Sequence, residues 1–300
     1  MATATPSDIQ VAHKAARGGS LSTLAVLFKL RVVTLLLFAA LGGAMLVGGG
    51  AAGDLALLVL TGTLSASGAS ALNQVLERHR DGDMKRTRRR PLVTGDIDPR
   101  VALIAGSGMV ALASGIAALA GNLALAIWLA VGAFIYVGIY TIWLKPRSVL
   151  NVVIGGAAGS AAVISGGAAV GHWADPGVWL LAGLLFAWSP THFWSLALAY
   201  RTDYERARVP MLPVVVSPRR AVFWMLAHAG ATALFGLLIA LRPAMGWLYL
   251  IPVALATAWL LREAGQLRAD YSGPRAMRVF KVSNLYLSIV LLAICVAAVV

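Results

Sequence analysis

Asn73, Glu77 and Asp81 are spaced four residues apart. A helix would carry all three side chains on one side, with a drift of about 40° per step. An amide and two carboxylates are hard oxygen ligands, and they suit Mg²⁺ when a substrate phosphate completes its coordination. The spacing therefore indicates a metal site where a helix approaches its end.

A run of basic residues follows this acidic face directly and contains Lys85, Arg86, Arg88, Arg89 and Arg90. Cations beside metal-binding carboxylates are what a diphosphate group requires. The alternative is that the run only anchors a membrane helix on its cytoplasmic side. We favour the diphosphate interpretation, because membrane proteins rarely place carboxylates at a helix end without a function.

A second polar region begins inside an apolar stretch, where Pro190 precedes His192, and Asp203 follows further along. A proline frees a backbone carbonyl and kinks a membrane helix, which is tolerated where the helix lines a cavity. We predict that His192 faces such a cavity; the alternative is a core histidine bonded to a neighbouring helix. Asp203 and Glu205 do not share a helix face, and we select Asp203 as the further metal ligand.

Two short basic pairs complete the set of candidates. Lys145 and Arg147 lie in a short polar segment, and Lys29 and Arg31 precede an apolar stretch. Each pair has two interpretations. The side chains either anchor helices at the membrane interface or face the diphosphate from another wall of the site.

The composition decides what kind of molecule must position these residues. Of 300 residues, 59% are hydrophobic and 12% are charged, and the mean hydropathy is +0.80. Soluble domains have about 25% charged residues, so a water-soluble enzyme and a disordered chain are both excluded. The 31 glycines fit close helix packing in a bilayer. The single cysteine, Cys295, allows neither an internal disulfide nor a cysteine metal cluster.

Nine stretches approach the length of about 20 mainly apolar residues that a membrane helix needs. They lie at roughly 32–49, 55–76, 101–120, 122–143, 149–170, 178–200, 221–241, 246–261 and 282–300. We therefore predict an all-α integral membrane protein with nine transmembrane helices. Only Gly121 and Asn122 separate the third stretch from the fourth, so eight spans is the main alternative.

The net charge of +13 would suggest nucleic acid as a partner of a soluble protein, but here its distribution indicates membrane orientation. With nine spans, 24 of the 25 Lys and Arg residues lie on one side, and Arg242 is alone on the other. The positive-inside rule places the rich side in the cytoplasm, with the N-terminus and the loops 77–100, 144–148, 201–220 and 262–281. We predict a polar cytoplasmic tail over residues 1–24, without the pattern of a secretory signal, and a single domain over 25–300.

These motifs, in their order and spacing, resemble the UbiA-type intramembrane prenyltransferases, and more closely the protohaem IX farnesyltransferase (haem O synthase) family. The resemblance extends from about residue 25 to 295. The similar stretches are Asn73-Gln-x-x-Glu77 with Asp81, Met84-Lys-Arg86-Thr-Arg-Arg-Arg90-Pro91, Tyr140-Thr-x-Trp-Leu-Lys145 with Asn151, Gly155-Gly156-Ala-Ala-Gly159, Pro190-Thr-His192-Phe193-Trp194 with Asp203-Tyr204, Pro210-Met-Leu-Pro213 and Ser283-Asn284-x-Tyr286.

The resemblance implies a bundle of nine helices around a central cavity that opens sideways to lipid. It implies that Asn73, Glu77, Asp81 and Asp203 hold Mg²⁺ and form the catalytic centre. Four cations would contact the diphosphate, and His192 would bind haem. The cations are Arg86, Arg90, Lys145 and Arg147.

The reaction that the resemblance implies joins a farnesyl group from farnesyl diphosphate to the 2-vinyl group of haem b. A haem A synthase would be a natural partner in that pathway. One alternative is a relative of the same superfamily that prenylates an aromatic acid, a quinone precursor or a chlorophyll-type ring. The other is a transporter, which should carry ionisable groups near the bilayer midplane or inverted repeats. The charges here lie at one surface instead.

Overall fold

The computed structural model describes residues 21–300, and within that range every regular element is a helix. In chain order the helices are α1 (Leu21–Leu27), α2 (Leu30–Met45), α3 (Ala52–Asp83), α4 (Pro91–Thr94), α5 (Pro99–Leu119), α6 (Leu123–Phe134), a π-helical segment (Ile135–Leu144), α7 (Asn151–Gly155), α8 (Ala157–Ala169), α9 (Pro176–Ala199), α10 (Arg201–Arg206), α11 (Leu212–Val215), α12 (Pro218–Ile239), α13 (Gly246–Gln266) and α14 (Gly273–Val299).

The number of membrane spans agrees with the prediction only in part. Among residues 21–300, seven helical segments are long and apolar enough to cross a bilayer, and the bent pair α1 and α2 makes up to eight. The predicted span at 178–200 corresponds to α9, which has 24 residues but is not apolar enough to be counted with them. The all-α multi-pass fold is confirmed, and the count of nine is not.

Helix α9 can be more polar than the other long helices because it lies inside the bundle. Most of its residues are buried, and it packs against α8, α12 and α14. Its polar groups find partners there: the Thr191 hydroxyl donates to the Met225 carbonyl at 2.9 Å, and the Trp188 indole donates to the Ser283 carbonyl at 2.7 Å. A helix surrounded by other helices does not need a lipid-compatible surface. The helix also continues through Pro190 without a break.

Small residues allow α2 and α8 to cross at very short distance. A Cβ atom added at Gly166 would lie 1.7 Å from the Ala40 carbonyl oxygen, and one added at Gly43 would lie 2.2 Å from that of Val163. No other residue fits at either position. This crossing accounts for part of the high glycine content, as expected for helices that associate through close packing in lipid.

Two helix limits differ from the predicted ones in a way that matters for the site. Helix α3 continues to Asp83, beyond the predicted end of the span near residue 76, and α14 starts at Gly273 instead of near residue 282. The predicted tail over residues 1–24 lies outside the described residues up to residue 20, and α1 already begins at Leu21. The single domain over residues 25–300 stays a prediction.

The central cavity open to lipid also stays a prediction. One cavity of about 300 Å³ lies between α1 and the start of α5, where Leu24, Phe28 and Val101 contribute to its wall. None of the residues that line this cavity belongs to the predicted site.

Candidate active site

The C-terminal half of α3 carries the predicted acidic face. Asn73, Glu77 and Asp81 are 1%, 3% and 4% exposed, whereas His79 and Asp83 on the same helical stretch are exposed. The three side chains thus share one buried side of the helix. They are buried because α3 remains helical and packed for about two turns beyond the predicted end of the span near residue 76.

Each of these three side chains contacts a cation from a different segment of the chain. The Lys29 ammonium donates to the Asn73 side-chain oxygen, and the Lys145 ammonium forms an ion pair with the Glu77 carboxylate. The Arg90 guanidinium donates to the Asp81 carboxylate at 2.6 Å. Both buried carboxylates are therefore paired with a cation, as the low polarity of their surroundings requires, and Lys29 brings a third cation to the neutral Asn73 amide.

Lys29 reaches the cluster because the chain breaks between α1 and α2. The two helices are bent by 57°, and Lys29 has a left-handed backbone conformation with φ 51° and ψ 47°. Its ammonium also donates to the Tyr136 hydroxyl at 3.0 Å and lies 5.7 Å from the centre of that ring. Of the two interpretations of Lys29, the structure supports a place in the site.

The π-helical segment supplies a wall that the sequence did not reveal. Its wider turn stacks the rings of Tyr136 and Tyr140, with 5.9 Å between centroids and 9° between planes. It also aims Thr141 at Asn73, whose side-chain amide donates to the Thr141 hydroxyl at 3.0 Å. A Cβ at Gly155 would lie 2.6 Å from the Tyr140 ring, so glycine makes room for this wall. Such π-helical stretches occur frequently at functional sites.

The ion pair of Lys145 is close enough to change its titration. Burial lowers the pKa of this ammonium, but the Glu77 carboxylate, together with Tyr140 and Tyr204, raises it, and the pKa lies above its ordinary value. Lys145 follows directly on the π-helical segment and lies 5.6 Å from the centre of the Tyr140 ring. It therefore remains a cation at every physiological pH, as a phosphate-binding group must.

Two other predicted diphosphate contacts, Arg86 and Arg147, form no hydrogen bond or ion pair with the cluster of Asn73, Glu77 and Asp81 within residues 21–300. Arg86 is exposed after the end of α3, together with Lys85, Arg88 and Arg89, while Arg90 is the member of the run that turns inward. Arg147 is also exposed, and its guanidinium donates to the carbonyls of Ile142 and Trp143 at 2.8 and 3.0 Å. The structure thus gives Arg147 the role of closing the π-helical segment and does not bring it to the cluster.

Asp203 lies on the short helix α10 and is 5% exposed. It takes part in none of the ion pairs found among residues 21–300. Its neighbour Tyr204 belongs to the same packed cluster as Met84, the residue that follows α3. Within the described range, no three Asp, Glu, His or Cys side chains converge on a common metal position.

This donor set still suits Mg²⁺. The ion usually takes only one or two protein carboxylates and fills the remaining positions with water and substrate phosphates. Glu77 and Asp81 on one buried helix side, with the Asn73 oxygen one turn earlier, provide that number of oxygen donors. The flanking cations fit the phosphates that would share the metal.

His192 lies in a separate environment on α9. Its ring stacks on Trp188 and Phe280, with centroid distances of 4.2 and 4.4 Å, and its Nδ1 lies 2.9 Å from the Ser283 hydroxyl oxygen. Its Nε2 has no hydrogen-bond partner among residues 21–300 and is not one of the fully enclosed polar atoms. One ring nitrogen is thus bonded to a neighbouring helix, the contact that the alternative interpretation expected, and a haem-binding role of Nε2 stays a prediction.

Comparison with known proteins agrees with this geometry. The model of the UbiA prenyltransferase family matches residues 35–285. Protoheme IX farnesyltransferase 1 of Saccharopolyspora erythraea is 37% identical over 300 residues, which cover 98% of this chain and 96% of that protein.

Two solved structures share the fold at low sequence identity. Digeranylgeranylglyceryl phosphate synthase has a TM-score of 0.75 at 17% identity, covering 93% of this chain and 98% of that one. A UbiA homologue from Archaeoglobus fulgidus bound to GPP and Mg²⁺ has a TM-score of 0.59 at 15% identity, covering 91% and 99%. By sequence match and by fold, the chain belongs to the UbiA prenyltransferase family and is a multi-pass membrane prenyltransferase.

Proposed function

We propose that the protein transfers a farnesyl group from farnesyl diphosphate to the 2-vinyl group of haem b, and that the products are haem O and diphosphate. The observation that carries the proposal is the buried face of Asn73, Glu77 and Asp81, to which three separate segments each bring a cation. The choice of acceptor is supported by the nearly full-length similarity to a protoheme IX farnesyltransferase.

Asn73, Glu77, Asp81 and Asp203 are the residues that would hold Mg²⁺. A UbiA homologue with the same fold was solved with GPP and Mg²⁺ bound. When bound, the ion polarises the diphosphate and neutralises the charge that develops as it leaves. The unpaired Asp203 and the acidic side of α3 would approach that ion from two different elements.

Lys29, Arg90 and Lys145 would change partners when the substrate binds. Without substrate, Arg90 and Lys145 form ion pairs with the two carboxylates of α3, and Lys29 donates to the Asn73 amide oxygen. With substrate, their charges turn to the phosphate oxygens and stabilise the leaving diphosphate. Arg86 would add a fourth cation from the surface, since it is exposed shortly after the end of α3.

The acceptor would be held by His192. Its Nδ1 lies next to Ser283, which fixes the ring, so Nε2 can bind the haem iron or a propionate. Loss of diphosphate leaves an allylic farnesyl cation, which the electron-rich vinyl group attacks to form the new carbon–carbon bond. Water then captures the resulting cation at the other vinyl carbon and releases one proton, which gives the hydroxyethylfarnesyl side chain.

Two further parts of the proposal concern the setting of the enzyme. We infer that the N-terminus and the basic loops face the cytoplasm, because 24 of 25 Lys and Arg residues fall on that side. The membrane-embedded site would then receive farnesyl diphosphate from the cytoplasmic leaflet. A haem A synthase as the protein that accepts the product stays a prediction.

The test is direct. Purified protein in detergent is incubated with haem b, Mg²⁺ and farnesyl diphosphate, and haem extracts are analysed by mass. We expect a product heavier by one farnesyl and one hydroxyl group, together with release of diphosphate, and no product when EDTA removes the metal. Unmodified haem, with farnesyl found instead on an aromatic or quinone-type acceptor, would identify the alternative member of the superfamily.

A further inference from the structure

Gln74 follows the first residue of the acidic face but points to another side of α3. It is fully buried. Its side-chain amide donates two hydrogen bonds to backbone carbonyls of α1, to Val26 and to Leu27, both at 2.8 Å. The Gln74 side chain thus connects α3 to the C-terminal end of α1 by two hydrogen bonds.

The carbonyls that Gln74 binds are those that the break after α1 leaves without helical partners. The last four carbonyls of a helix have no intrahelical donor, and an unpaired one is costly where lipid and packed side chains replace water. The Lys29 amide reaches back to the Val26 carbonyl at 3.3 Å. The Gln74 amide adds a second donor there and also reaches Leu27, so it stabilises a helix end that would otherwise extend.

The same break determines where Lys29 lies. A left-handed conformation is unfavourable for a residue with a side chain, and it persists only when the surroundings hold it. Leu27 is also held, because it packs in one cluster with Ala71 and Leu92. If α1 instead ran straight into α2, the Lys29 side chain would rotate away from Asn73.

We propose that Gln74 is a positioning residue for the prenyl transfer: it holds the broken end of α1 and so places the Lys29 ammonium in the diphosphate site. This inference rests on the proposed role of Lys29 as a diphosphate contact. Gln74 itself touches neither substrate nor metal, and it acts through the backbone of residues 26–29.

The test uses Gln74→Met, which keeps the length of the side chain and removes both donors. We expect binding of Mg²⁺-diphosphate, measured by calorimetry on the purified full-length protein, to weaken about tenfold, the effect of one to two lost hydrogen bonds. The matched control is Gln266→Met, because Gln266 also bonds through its side chain, accepting from Arg275 at 2.6 Å. The control should bind diphosphate as the unmodified protein does.

A double-mutant cycle with Lys29→Met separates positioning from general damage. Lys29→Met alone should weaken diphosphate binding about tenfold, and adding Gln74→Met should then change it by less than about twofold. Two effects that multiply would overturn the inference. If Lys29→Met alone binds normally, the proposed role of Lys29 fails. If Lys29→Met weakens binding and Gln74→Met does not, only the role of Gln74 fails.

Tryptophan fluorescence during thermal unfolding shows whether each variant is folded. Should Gln74→Met not fold, Gln74→Leu repeats the test with a second uncharged side chain that cannot donate. Failure of both variants to fold would assign Gln74 to stability alone and overturn the inference.

Discussion

The Lys145 ammonium contacts the Glu77 carboxylate, although the two residues lie on elements that are far apart in sequence. Lys145 follows the π-helical segment and Glu77 lies on α3. This pair is the central one of three, since Lys29 and Arg90 contact the residues one turn before and one turn after Glu77. Each candidate metal ligand of α3 is therefore in contact with a candidate phosphate ligand, and its two carboxylates are both paired with a cation.

The first prediction concerns this pair. Lys145→Met should destabilise the protein by about 3 kcal/mol, because it leaves the buried Glu77 carboxylate without its partner. Adding Glu77→Gln should restore most of the thermal stability, while both variants lack turnover. Unfolding followed by tryptophan fluorescence measures the first effect, and product formation measures the second. Equal stability of the Lys145 variant and the unmodified protein would contradict the pairing.

The pair also has a defined pH dependence. Because the folded pKa of Lys145 is raised, its contribution to stability is complete below the ordinary lysine pKa of 10.5 and is lost as pH rises through the folded value. Between pH 6 and about 9 the stability difference between Lys145→Met and the unmodified protein should therefore remain constant.

The second prediction concerns the metal. Asp81→Asn keeps the shape of a buried side chain and removes its charge, so it should lower kcat at least about 100-fold while the bundle stays folded. Alanine is a poorer choice, since Asp81 is 4% exposed and bonded to Arg90. The matched control is Asp83→Asn, two residues later and exposed, which should keep near-normal kcat. Equal losses of kcat in both variants would show that Asp81 is not a metal ligand.

The third prediction concerns His192. His192→Ala should weaken haem binding about tenfold or more, while binding of farnesyl diphosphate changes little. Haem binding is measured by the change in haem absorbance. His228→Ala provides the same chemical change at a histidine whose ring packs on Trp194, outside the His192 cluster. It should leave haem binding unchanged. If His192→Ala weakens both substrates together, the histidine belongs to the core of the bundle.

The fourth prediction concerns orientation. Arg100 begins α5 on the basic side, and Ala244 lies in the segment between α12 and α13 with Arg242. In a variant with Cys295 replaced by serine, a cysteine at position 100 should react with an impermeant thiol reagent only from the cytoplasm, and one at position 244 only from outside. Labelling of both positions from the same side would contradict the proposed topology.

Much of the site was predictable from local sequence. The spacing of Asn73, Glu77 and Asp81 fixes a common helix side, because helix geometry is regular over two turns. Arg90 was also predictable, because the basic run follows the acidic side of α3 directly in sequence. Hydropathy identified the positions of most spans, since their apolar runs are continuous.

The rest depended on contacts between distant segments. Lys29 enters the site through a left-handed residue and a 57° bend, neither of which has a glycine or proline to mark it. Tyr136 faces the cluster only because the helix widens to a π-helix. The burial of Glu77 and Asp81 and the alternative use of Arg147 likewise result from packing that no local pattern encodes.

The π-helical segment makes the distance between Tyr136 and Lys145 sensitive to single-residue length changes. Its backbone bonds span five residues, as in the bond from the Lys145 amide to the Tyr140 carbonyl at 2.8 Å. Deleting one residue between them would let the segment relax into an ordinary α-helix, at no cost in hydrogen bonds. It would also move Lys145 around the helix axis and away from Glu77, because residues of an α-helix follow one another at a different angle from those of the wider π-helix. This stretch should therefore accept substitutions on its lipid side far more readily than any insertion or deletion.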